Sequence, residues 1–164
     1  MVIPVVARIT GEIDRLETAQ AAAETVLSSS RATPHISWWA RIGLGLIAVL
    51  RSGVRAAEEQ YGYLKMMTGV ISRAIANDRL LGLLAQTMGN LDQATIHFDD
   101  ALAFCRKAGY RPELAWTCCD YADLLLKRNN EGDRATATSL LDESLAISSD
   151  LGIRPLMEWV LSQR

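Results

Sequence analysis

Aromatic residues make up only 6% of this 164-residue chain, with two phenylalanines and two histidines, and proline occurs four times. Neither sign of charge dominates: 17 Lys and Arg stand against 19 Asp and Glu, for a net charge of −2. Without a net positive field the chain is poorly suited to neutralise phosphates, so direct nucleic-acid binding is not expected. Cysteine is scarce. Cys105, Cys118 and Cys119 are odd in number and two are adjacent, unlike the framework of a disulfide-stabilised secreted domain. Reduced thiols in the cytoplasm are expected, with Cys105 on the apolar side of a helix. The most apolar run, residues 42–50 between Arg41 and Arg51, is about half the ~20 residues a membrane span needs. The segment Met1 to Val6 is apolar but lacks the basic flank and long apolar core of a signal peptide. A soluble cytoplasmic chain that does not engage membranes is expected.

Half of the chain is hydrophobic (49%), enough to bury one core, so residues 1–164 are read as a single domain. The chain also repeats itself. Gly109, Arg111, Pro112 and Trp116 recur 43 positions later as Gly152, Arg154, Pro155 and Trp159. Gly89, Ala94 and Leu102 recur at the same offset as Gly132, Ala137 and Leu145, and Phe98 is answered by Leu141. A weaker copy lies upstream: Gly45, Ala48, Ala57 and Tyr61 precede Gly82, Ala85, Ala94 and Phe98 by 37 positions each. Loop length varies between copies while the pattern holds.

Each copy reads as two helices. In 91–107, Leu91, Ala94, Phe98, Ala101, Leu102 and Cys105 fall on one helical face. Gly89-Asn90 supplies the turn before it and Gly109 the stop after it, while Arg106 and Lys107 complement the helix dipole. Pro112 and Pro155 suit the first turn of a following helix. No period-2 alternation suggests a strand. The pattern predicts helices near 11–28, 35–51, 54–67, 70–88, 91–107, 112–128, 133–150 and 154–162. The alternative for the fourth is a start at Asn77-Asp78 after a loop at Thr68-Gly69.

The segment Leu81-Gly82, Ala85, then Gly89-Asn90-Leu91-Asp92-Gln93-Ala94, Phe98 and Ala101-Leu102 resembles a tetratricopeptide repeat. Small residues at Gly82 and Ala94 let two helix backbones approach, and Phe98 fills the space between units. The second copy departs from the pattern, with Leu125 in place of Gly82 and Ser144 in place of Ala101. The longer repeat, from Asp78 through Arg111-Pro112-Glu113-Leu114-Ala115-Trp116 to Leu151-Gly152-Ile153-Arg154-Pro155, is similar to a bacterial class. That class is the C-terminal helical-repeat regions of large signalling ATPases, class III adenylate and guanylate cyclases and LuxR-type transcriptional regulators. Their nucleotide-binding glycine loop, cyclase segment and helix-turn-helix are not found in this sequence. The resemblance implies an all-α, short right-handed solenoid of antiparallel helix pairs, about seven or eight helices in all. Its units are near 34–67, 69–108 and 112–151, with a preceding helix at 11–28 and a terminal half-repeat at 154–164.

No catalytic set stands out. Cys118 and Cys119 project about 100° apart on a helix, so one is expected in the core and the other partly exposed; their spacing does not suit zinc. His97 and Asp100 would give a metal two ligands where it needs three or four, and they read as a surface histidine beside acidic residues. The pairs Asp99-Asp100 and Glu58-Glu59 read as solvated helix faces. No metal, cofactor or enzymatic activity is expected. In such an array the first helix of each unit lines a groove, which nominates Arg79, Leu83 and Gln86 from one unit and Asp120, Tyr121 and Leu124 from the next. The leading expectation is a protein-interaction module of bacterial signalling or transcription control. It would bind a protein partner through the groove or an end surface, with a homodimer through the terminal helices as one version. The alternative is a small-ligand sensor with a pocket between helices near Trp38, Tyr61 and Trp116.

Overall fold

The computed structural model describes residues 2–72 and 75–163. The described residues form nine helices: α1 (Val2–Thr10), α2 (Leu16–Ser28), α3 (Pro34–Leu50), α4 (Val54–Leu64), α5 (Asn77–Thr87), α6 (Leu91–Ala108), α7 (Arg111–Arg128), α8 (Asp133–Leu151) and α9 (Arg154–Ser162). There is no strand among them, only one isolated antiparallel bridge between Ile71 and Ala76. None of these helices is long and apolar enough to cross a membrane.

The internal repeat has a backbone counterpart. After α6, Gly109 turns left-handed at φ 66°; after α8, Gly152 does so at φ 68°. Both ends close with the same two hydrogen bonds: Gly109 N–H to Arg106 O (3.3 Å) and Tyr110 N–H to Cys105 O (3.0 Å), and Gly152 N–H to Ser149 O (3.3 Å) and Ile153 N–H to Ser148 O (2.8 Å). This two-bond stop satisfies carbonyls that the helix itself leaves open. The turn inside each pair repeats too. Gly89 and Gly132 share φ 81° and 82°, and the upstream copy puts Ser52 at φ 52° in the corresponding place. Asn90 N–H reaches Ala85 O as Gly53 N–H reaches Ala48 O, each at 2.9 Å.

Each helix from α2 to α9 packs mainly on its sequence neighbours, and α3 touches α5 as α5 touches α7. Between the pairs sits Phe98, fully buried. Its ring stacks on Tyr121 of α7 at 5.4 Å and lies against Gly82 of α5. A side chain at Gly82 would meet that ring, so the close approach of α5 and α6 depends on the missing Cβ.

Three expectations change. There are nine helices among the described residues, not seven or eight: the apolar N-terminus forms α1, which Gly11 stops at φ 76° with its N–H on Ala7 O, so the helix expected over 11–28 begins only at Leu16. The helix expected over 70–88 begins at Asn77, which is the alternative start given for it, and its positions 73 and 74 lie outside the described residues. Polar side chains hold the preceding loop. Asn77 Nδ2 donates to Leu64 O and Met67 O, closing α4, and Asp78 Oδ2 accepts from Gly69 N–H at 2.7 Å. The third change concerns the adjacent cysteines. Both Cys118 and Cys119 are buried, because α7 is enclosed by α5, α6 and α8. Burial pushes Cys105 up to about 11 and Cys119 up to about 12, and raises Cys118 as well, so all three remain neutral thiols.

Candidate interaction face

On α7 the residues Glu113, Trp116, Asp120, Asp123 and Lys127 follow one another at steps of three and four, so they share one stripe of the helix. That stripe joins the side of α5 carrying Arg79 and the side of α9 carrying Trp159. Arg79 Nε lies 2.9 Å from Glu113 Oε1, and its Nη1 lies 3.3 Å from Asp120 Oδ2. Glu113 also accepts the Ala76 N–H at 2.6 Å, just before α5 begins. A second cation arrives from the far end of the sequence: Arg8 of α1 pairs with Asp120. The side chains of Arg79, Glu113 and Asp120 are 6%, 5% and 1% exposed, and that of Arg8 is 13% exposed.

Two cations thus neutralise two carboxylates in a nearly dry setting. Burial raises Glu113, while the Arg79 charge and the Ala76 N–H pull it back. While the face stays covered, stripping one partner from such a buried pair costs about 3–5 kcal/mol. The guanidinium groups also lie near rings, Arg79 5.9 Å from the centre of Trp116 and Arg8 5.3 Å from the centre of Trp159. The two indoles meet edge to face at 5.7 Å. The repeat that aligned them in sequence brings them into contact.

α1 touches α2, α3 and α9. Val5, Arg8 and Ile9 close over Leu46, Ile75, Arg79 and Trp116, leaving a cavity of about 40 Å³. Past Arg8 the same face opens into a groove of about 460 Å³ between α3, α5, α7 and α9. Val49, Ser52, Leu83, Gln86, Thr87, Leu91, Asp123 and Lys127 line it, along with Arg8, Asp120 and Trp159, which are shared with the ion-paired cluster. Within the groove Asp123 takes Gln86 Nε2 at 2.9 Å and Lys127 Nζ at 2.7 Å. Charge there is balanced and local.

Comparison of the chain with protein-family models, with curated proteins and with solved structures returns no match.

Of the six groove residues expected from sequence, Arg79 and Asp120 meet in the ion-paired cluster, and Leu83 and Gln86 line the open groove. Tyr121 and Leu124 are in the core instead, Tyr121 stacked on Phe98 and Leu124 fully buried. One residue past Asp120 rotates the side chain about 100° off the stripe. The sequence reading missed Glu113, Asp123, Lys127 and Arg8. The first three were visible as a polar stripe at helical spacing on α7; Arg8 carried no signal, because its helix was not expected. Trp38, Tyr61 and Trp116 have separate surroundings. Trp38 neighbours His35 and Trp39, Tyr61 OH lies 2.8 Å from His97 Nε2, and Trp116 faces Arg79 and Trp159. His97 is buried against Tyr61, not at the surface. No group of three or more His, Cys, Asp or Glu among the described residues is arranged to hold a metal.

Proposed function

We propose that this chain is a non-catalytic protein-interaction module of cytoplasmic bacterial signalling or transcription control. It is built as a short solenoid of tetratricopeptide-like helix pairs, and its partner docks on the face shared by α3, α5, α7 and α9. The observation that carries this reading is the occupancy of that face. A nine-residue helix, α1, already lies on it, held by an arginine on a buried carboxylate and by apolar side chains over Leu46 and Trp116. A surface that accepts one helix in this manner has the chemistry to accept another. Beside α1 the groove remains open, lined mostly by polar and charged side chains with Val49, Leu83, Leu91 and Trp159 among them. The repeated helix-pair turns support the solenoid reading, since each pair hands the same geometry to the next.

The test compares wild-type chain with Ser52→Glu and Lys127→Glu, two changes on exposed groove residues, and with Ile96→Glu on the exposed side of α6. Each full-length chain is incubated with its host's cytosolic extract and weighed by native mass spectrometry. The expected result is a protein complex of fixed stoichiometry, weakened by about tenfold or more in the groove variants and kept by Ile96→Glu. A stoichiometric small-molecule adduct, or a protein complex indifferent to the groove variants, would contradict the reading.

A further inference from the structure

α1 meets the face as a bound ligand would. At nine residues it is too short to be helical alone in water, so docking is what keeps it folded. It buries Pro4 and Ala7 and sends Arg8 to Asp120, while Val2 and Val6 stay exposed on its other side and Ile9, partly exposed, borders the cavity under the helix. Its connection to α2, residues 11–15, is exposed throughout and starts at a left-handed glycine. Lifting α1 away would leave Glu113 and Asp120 with Arg79 as their one cation in the cluster. The uncovered face is therefore short of a positive charge at a defined point.

Resting on the docking reading above, we propose that this face takes an amphipathic helix of another protein bearing an arginine, and that α1 is its competitor within the chain. The contacts of α1 spell out the recognition: an apolar residue at the position of Val5, a small residue at Ala7, arginine at Arg8 and an apolar residue at Ile9. Arginine suits the site better than lysine, because its planar group can face Asp120 and the Trp159 ring together. The partner's helix continues beyond the arginine. Arg8, Asp120 and Trp159 belong both to the covered cluster and to the open groove, so the groove adjoins the Arg8 end of α1. A second copy of α1 stops at Gly11 and leaves that groove empty; a longer foreign helix fills both parts.

The experiment uses the full chain and a fluorescein-labelled peptide of residues 2–10 continued by Ala-Glu-Ala-Ala-Lys-Ala. Binding is read by fluorescence anisotropy. Because a short tether gives α1 an effective concentration of roughly millimolar, wild type should bind the peptide at least ~10-fold more weakly than Arg8→Glu. Arg8→Ala, which removes the cation without adding repulsion, should shift affinity the same way, and circular dichroism at 222 nm confirms that each variant is folded. A peptide carrying Arg8→Glu should bind neither variant. Equal binding by wild type and both folded variants would overturn the competitor role. Binding that survives loss of the peptide's arginine would overturn the recognition rule while leaving the docking face standing. Absence of binding to either folded variant would overturn the proposal, and the groove variants of the preceding test would then decide the docking face by themselves. A wild-type dimer that the peptide dissociates would make a second copy the occupant, and would overturn the assignment to a foreign helix.

Discussion

Gly45 and Gly82 hold the same repeat position, yet their surroundings give them opposite roles. A Cβ on Gly82 would come within 3.0 Å of the Phe98 ring, which is buried and stacked on Tyr121 and has nowhere to move. A Cβ on Gly45 would sit 3.5 Å from Leu80, an ordinary contact. Replacing glycine by alanine inside a helix is worth about 1 kcal/mol, whereas overpacking a tight core costs about 1–3 kcal/mol. Urea unfolding should therefore find Gly45→Ala more stable by about 0.5–1 kcal/mol and Gly82→Ala less stable by about 1–2 kcal/mol. The same sign for both would mean that Phe98 does not set the spacing of α5 and α6. The sequence carried this role of Gly82 and Phe98, because close helix approach and the filler between units are both repeat features. It did not carry the burial of both Cys118 and Cys119, since one residue's direction on α7 says nothing of how many helices surround that helix.

At the scale of elements, the contact of α4 with α6 joins Tyr61 to His97. His97 Nε2 lies 2.8 Å from Tyr61 OH and 3.3 Å from Gln93 Nε2. Burial lowers its pKa below the usual 6.5, and the Asp78 and Asp100 charges offset only part of that. A lowered histidine contributes stability above the unfolded value that is lost as pH falls through the folded one. The urea midpoint of wild type should therefore drop as pH falls below 6.5, and His97→Gln should flatten that part of the curve. Parallel curves would remove His97 from the acid response. Helices α6 to α9 were legible within a residue or two, because glycine stops, proline starts and apolar spacing agree there. For α5 the start at residue 70 was too early and the alternative start at Asn77-Asp78 is the one found, since it depends on side chains of Asn77 and Asp78 reaching back over a loop. α1 escaped notice because a short apolar segment has no periodicity long enough to read, and tertiary contact with α3 and α9 supplies the rest.

For the whole molecule, the first and last elements of the chain meet on one face. Arg8 and Trp159 approach each other across the ion-paired cluster, so the face on which a partner would dock is completed by α1. Only half of that arrangement was readable beforehand. Arg79, Leu83, Gln86 and Asp120 follow from repeat position, whereas the covering helix follows from long-range charge pairing that no local pattern encodes. The central claim is that this face binds helices and that α1 holds it reversibly. Amide hydrogen exchange of the full chain, with and without a saturating amount of the extended peptide, tests it most directly. The expected result is faster exchange through α1 together with slower exchange in α3, α5, α7 and α9. Unchanged exchange in α1, or protection confined to α2, α6 and α8, would contradict the claim.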